Sequence, residues 1–227
     1  MIINILKTLF AIVFLITLSY MANYIFKKTS WSNFYKMMGM FTVFGIIMIG
    51  QNFIARAYVY FEVNSASAPR VLGISRLLFV LFFTLVSVFS YYIYIVRFNK
   101  KRYQRQQNFV WVLALLSIVL AVLPQNEYAR ENPGVLLPQI RAIPSVILGI
   151  YVSMVVVIDG YYKRSANFQR FGLYLAAMQL VHLIYVFIFR AKAQDEFAVI
   201  VMSSILFMLM VYTFYRKLSK INELERF

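Results

Sequence analysis

Residues 71–96 read VLGISRLLFVLFFTLVSVFSYYIYIV, and Arg76 is the single formal charge in the stretch. At about 1.5 Å of rise per residue, a helix of that length more than crosses a hydrocarbon core of about 30 Å. Six further apolar runs of the same kind flank it, giving candidate spans at 3–26, 37–60, 71–96, 109–124, 141–162, 171–190 and 196–215. Lipid offers no hydrogen bonds, so a crossing segment must satisfy its own backbone, and separate apolar runs do so as helices. The expected fold class is therefore all-α: a polytopic transmembrane helical bundle of about seven spans. The fourth run is the shortest and would serve as a re-entrant segment, but Phe109 to Leu123 contains neither Gly nor Pro, which favours a helix.

The whole composition agrees with this reading. Hydrophobic residues make up 62% of the 227, charged residues 14%, and the mean hydropathy is +0.73, whereas soluble domains are about a quarter charged. No internal repeat, low-complexity tract or linker separates the runs, so residues 1–215 read as a single transmembrane domain and 216–227 as a basic tail. Within the first run Lys7 precedes an apolar stretch, as in a signal peptide. It exceeds the length of a signal-peptide apolar region and shows no small-residue cleavage site before Lys27–Lys28, so it reads as a retained helix.

Charge sets the expected orientation. The net charge of +15 lies mostly in short connections between spans. One alternate set of connections holds Lys27, Lys28, Lys36, Arg97, Lys100, Lys101, Arg102, Arg105, Lys163, Arg164, Arg170, Arg216, Lys217, Lys220 and Arg226, fifteen in all. The other holds six: Lys7, Arg70, Arg130, Arg141, Arg190 and Lys192. Cytoplasmic loops retain Lys and Arg, and the anionic inner leaflet favours them there. The N-terminus is thus expected outside and the C-terminus inside, in a multi-pass protein of a bacterial cytoplasmic membrane. Because topology accounts for the basic clusters, nucleic acid is not an expected partner. Trp31, Tyr35, Tyr91, Tyr92, Trp111, Tyr161, Tyr162, Tyr212 and Tyr215 would mark the inner interface, with Tyr58 and Tyr60 at the outer one.

Residue types missing from the chain narrow its chemistry. Without cysteine there is no disulfide, thiolate metal site or Cys nucleophile. No P-loop, HExxH or GxSxG motif occurs, and one histidine does not make a metal site. Residues 196–215 contain no Lys for a retinal Schiff base. The expectation is a non-enzyme with no catalytic residue, cofactor or metal. Pro69, Pro124, Pro133, Pro138 and Pro144 fall at outer span ends or in outer loops, which disfavours the broken helices of secondary transporters.

Candidate sites come from polar residues at membrane depth. Gln179, His182 and Tyr185 recur every three residues and share one face of the sixth span. Exposure to lipid would strand their polar groups, so the face should look inward, either to bond another helix or to meet a ligand. Arg56, Arg76, Arg141 and Arg190 cluster towards the outer side, where a ring of helices would bring them into a cup suited to an anionic small ligand. Snorkelling to lipid phosphates, or pairing with Glu62, Glu127, Glu131, Asp195 or Glu196, is the structural alternative. Thr84, Ser87, Ser90, Tyr91 and Tyr94 form a hydroxyl-bearing face that would bond across helices or back to its own carbonyls.

Ser145, Gly149 and Ser153, like Ala114, Ser117 and Ala121, form stripes where a second helix can approach closely. Asp159, four residues before Lys163, reads as half of a snorkelling ion pair. Residues 124–139 form the longest outer loop, a lid or an ordinary connection. Lys100, Lys101, Arg102 and Arg105 would contact an acidic protein partner or anionic inner-leaflet lipid. Leu218, Ile221, Leu224 and Phe227 give the tail an apolar side for the interface or a partner. The sequence thus points first to a sensor or receptor-like bundle that acts through a partner protein. A structural or accessory subunit of a larger membrane complex comes next, and a small transporter or channel third.

Overall fold

The computed structural model describes residues 2–27, 33–60, 68–98, 104–122, 137–187 and 196–224. These residues form seven helices and no strand: α1 (Ile2–Lys27), α2 (Asn33–Tyr60), α3 (Ala68–Phe98), α4 (Gln104–Val122), α5 (Leu137–Tyr162), α6 (Ala166–Phe187) and α7 (Glu196–Leu224). The described part of each expected span lies on one helix; residues 123–124 of the fourth and 188–190 of the sixth lie outside the described residues, and the fourth is helical from Gln104 to Val122.

Five stretches are long and apolar enough to cross a membrane: Thr8–Lys27, Asn33–Ala55, Leu77–Ile95, Ala142–Tyr162 and Ala198–Arg216. In α4 the apolar part is the shorter Gln106–Ala121. The protein is a multi-pass helical membrane protein.

Most of the helices begin or end a few residues beyond the expected spans, and two of these boundaries bear on the sequence reading. Helix α5 begins at Leu137, so the end of the expected outer loop is helical and Pro144 lies inside the helix. Pro138 suits such a start, because first-turn amides need no intrahelical acceptor and its φ is already helical. Helix α7 continues past the expected end at 215 to Leu224.

The chain divides into two compact units, Met1–Phe82 with Val211–Phe227, and Phe83–Met210. In the first unit α1 packs against α2. Leu18, Ile25, Met38 and Phe41 are fully buried there, and the Phe26 ring lies over Gly39, where an added Cβ would come within 2.9 Å of it. Phe10, Phe14 and Phe53 form an aromatic cluster, with Phe10 stacked on Phe14.

In the second unit α5 packs against both α6 and α4. Leu148, Val152 and Val156 of α5 meet a core that includes Phe171, Leu175 and Met178 of α6, all fully buried. Small residues bring these two helices together. A Cβ on Gly172 would lie 3.0 Å from the Val157 backbone nitrogen and 3.2 Å from the Ser153 carbonyl oxygen, and one on Gly160 would lie 3.0 Å from the Gln169 backbone nitrogen. Without lipid-excluding hydrophobicity to draw helices together, such close approach supplies the dispersion contacts that hold them.

The α5–α6 turn closes through a Schellman arrangement. Ser165 N donates to Gly160 O at 2.8 Å and Arg164 N to Tyr161 O at 3.0 Å, satisfying two carbonyls at the end of α5. Arg164 supplies the left-handed residue, with φ of 52°, a position normally taken by Gly.

Candidate functional site

A layer of buried polar side chains in the second unit lies where α3, α5 and α6 meet. Gln179 of α6 is fully buried, and its Nε2 donates to Ser87 Oγ of α3 at 3.1 Å. Ser87 Oγ in turn donates to the Phe83 carbonyl at 2.9 Å, so α6 is tied through a hydroxyl to the backbone of α3. On its other side the Gln179 side chain fills the space in front of Gly149; a Cβ there would overlap Cγ, Cδ and Oε1. Gln179 Oε1 is buried with no hydrogen-bond partner among the described residues.

One turn along α6, His182 is also fully buried and lies flat on the Phe83 ring, with centroids 4.0 Å apart and planes at 6°. Gln179 and His182 thus share an inward face, as their spacing predicts, and α3 supplies a contact for each.

Most other buried hydroxyls bond locally. Ser90 donates to Val86 O at 2.7 Å, Ser117 to Leu113 O at 2.7 Å, Ser145 to Ala142 O at 3.1 Å, Ser153 to Ile150 O at 2.8 Å and Ser204 to Ile200 O at 2.6 Å. A hydroxyl that bonds its own helix can be buried without a partner on another helix. Ser203, buried on α7, has no hydrogen-bond partner for Oγ among the described residues.

A second cluster lies nearer the α5–α6 turn. Tyr94, fully buried on α3, donates its hydroxyl to the Asp159 carboxylate. Lys163 Nζ pairs with the same carboxylate at 2.5 Å and lies 5.8 Å from the Tyr94 ring centroid. Phe168 meets Tyr94 edge-on at 6.0 Å. The Asp159–Lys163 pair expected from the sequence is present, with a tyrosine on the carboxylate that spacing alone does not reveal.

The burial of Tyr91 corrects an expectation. Tyr91 is fully buried and so is not an exposed interface marker, because its ring packs within the bundle rather than among headgroups. Tyr161 and Tyr162 are 71% and 77% exposed.

The outer arginine cup falls outside this description. The side chains of Arg56, Arg76, Arg141, Tyr185 and Arg105, and the whole of Arg190, Lys100, Lys101 and Arg102, lie outside the described residues. Of the expected ligand-binding residues, the structure brings together Gln179 and His182. It adds Phe83, which carried no polar signal, and pairs Ser87 and Gly149 with Gln179. Among the described residues no group of three or more His, Cys, Asp or Glu could hold a metal. Gln179 and Ser87 are joined by a hydrogen bond, and His182 and Phe83 by ring stacking.

No family model matches the chain, and no curated protein or solved structure matches it either.

Proposed function

We propose that this protein is a non-catalytic sensor or receptor-like membrane bundle. In this reading its N-terminus lies outside, its C-terminal tail in the cytoplasm, and the membrane is a bacterial cytoplasmic one. The observation that carries the reading is the continuity of α7, one helix from Glu196 to Leu224 that includes the apolar stretch Ala198–Arg216 and extends beyond it. A continuous helix is a stiff rod of hydrogen-bonded turns, so displacement within the membrane is delivered to its polar end.

The input would be an anionic small ligand, for which the sequence offers Arg56, Arg76, Arg141 and Arg190, with Gln179, His182 and Tyr185, as the candidate contacts. The output would be read by a protein partner at the α7 extension and at the basic segment containing Lys100, Lys101, Arg102 and Arg105.

The test is thermal unfolding of the purified protein against a panel of small carboxylates and phosphates, since a ligand that binds the folded state raises its stability. At least one anion is expected to raise the midpoint for the wild type and not for Arg76→Gln of equal helix content. A panel without effect on the wild type refutes the cup.

One observation favours a second reading, a structural or accessory subunit. Gln179 is packed into the notch at Gly149 and bonded to Ser87, which is what a helix-holding contact requires. That reading predicts a stoichiometric membrane partner in mild-detergent purification; a solitary, monodisperse protein would count against it.

A further inference from the structure

Within the first unit, tyrosines from α1 and α7 converge. Tyr24 and Tyr20 of α1 both meet Tyr215 of α7 edge-on, with ring centroids 5.0 Å and 6.3 Å apart, and Tyr212 stacks on Tyr215 at 6.2 Å. The cluster is open to its surroundings, with Tyr20 at 62% and Tyr212 at 41% exposure. Both helices end the cluster with an exposed cation, Lys27 on α1 and Arg216 on α7. Lys27 follows Tyr24 by three residues and Arg216 follows Tyr212 by four, so each cation shares a helix face with a tyrosine of the cluster.

The same face of α1 continues away from the cations as an apolar stripe. Val13, Ile16 and Tyr20 recur at helical spacing and are 63%, 64% and 62% exposed. At about 1.5 Å per residue, Val13 to Lys27 spans about 21 Å, and half of a bilayer about 40–45 Å thick, headgroups included, is the same length. The face therefore presents, in order along one leaflet, aliphatic side chains, phenol rings and hydroxyls, then positive charge. That sequence matches an acyl chain, a glycerol ester and a phosphate.

We propose that this face of α1, with Tyr212, Tyr215 and Arg216 of α7, is a binding site for a single anionic phospholipid. Lys27 and Arg216 hold the phosphate, the Tyr24 and Tyr212 hydroxyls bond the ester and headgroup region, and the acyl chain lies along Ile16 and Val13. Charge complementarity selects an anionic lipid over a zwitterionic one. The length of the stripe selects a lipid over a soluble phosphate compound, which would leave Val13 and Ile16 without a role. The site does not depend on the sensor reading, because it uses neither the arginine cup nor the Gln179 layer.

Native mass spectrometry of the full chain, released from mild detergent with equimolar phosphatidylglycerol and phosphatidylcholine, tests the site. The wild type is expected to retain one phosphatidylglycerol in preference to phosphatidylcholine. A juxtamembrane cation contributes about 1 kcal/mol, or about fivefold in affinity, so Lys27→Gln and Arg216→Gln should each lower the affinity for phosphatidylglycerol about fivefold. Tyr24→Phe with Tyr212→Phe, which keeps the rings and the Tyr20–Tyr215 contact, should lower it further from wild type while leaving helix content unchanged. Arg164→Gln with Arg170→Gln removes two exposed cations elsewhere and should change nothing. Equal retention of the two lipids, equal loss in the Arg164/Arg170 control, or occupancy of the face by a second copy of the chain would overturn the proposal.

Discussion

The side chain of Gln179 occupies the volume that any side chain at position 149 would need. Helices α5 and α6 therefore meet at a glycine on one and a fully buried amide on the other.

Gly149→Ala is expected to destabilise the protein by about 1–3 kcal/mol, the cost of forcing a methyl group into a packed interior. Thermal unfolding in detergent measures it. Removing the obstruction should restore part of the loss, so Gly149→Ala with Gln179→Ala should unfold at a higher temperature than the two single effects summed would give. Strict additivity would show that the two residues do not share this space.

The Gln179–Ser87 bond should be worth less than its burial suggests. Interhelical hydrogen bonds in membrane proteins average about 0.6 kcal/mol, because the separated helices also find partners. Ser87→Ala, and Gln179→Met with nearly the same volume, each lose this bond. A double-mutant cycle in reversible unfolding should return a coupling near that value, and zero coupling would mean the contact contributes nothing.

At the Asp159 cluster the tyrosine should outweigh the lysine. Lys163 and Asp159 remain 28% and 19% exposed, so their i, i+4 pair is partly screened by solvent, and such pairs contribute at most about 1 kcal/mol. Tyr94 is fully buried with its hydroxyl on the carboxylate, and hydrogen bonds to carboxylates typically contribute about 1.5–3 kcal/mol. Tyr94→Phe is expected to lower stability more than Lys163→Gln, and the reverse order would show that the ion pair dominates.

Arg164 occupies a left-handed backbone conformation at the α5–α6 turn. An L-residue with a side chain is disfavoured there by about 1–2 kcal/mol, so Arg164→Gly should raise the unfolding temperature and Arg164→Val should lower it. A stabilised valine variant would contradict the turn geometry.

The proposed threading has its own test, made simple by the absence of native cysteine. Single cysteines replacing Asn33 and Gln104 should react with an impermeant thiol reagent from the same, cytoplasmic, side. Labelling from opposite sides would break the proposed orientation.

Much of the candidate site was legible in the sequence through helical periodicity. The three-residue spacing of Gln179 and His182 predicted a common inward face, and both are fully buried. The Ser145, Gly149 and Ser153 stripe predicted a close helix contact, and α6 makes it at Gly149 and beside Ser153. The four-residue step from Asp159 predicted the ion pair with Lys163. All three are relations within one helix, where 3.6 residues per turn ties spacing to direction.

By itself the sequence determined the solvent and the fold class, since apolar runs too long and too uncharged for a soluble core must form helices that bond their own backbone in lipid. Only the tertiary structure decided that Gln179 meets Gly149 and Ser87, that His182 lies on Phe83, and that Tyr94 reaches Asp159. Those pairings depend on how far one helix slides and turns against another. That register is set by the packing of many side chains at once, and no spacing along a single chain segment encodes it.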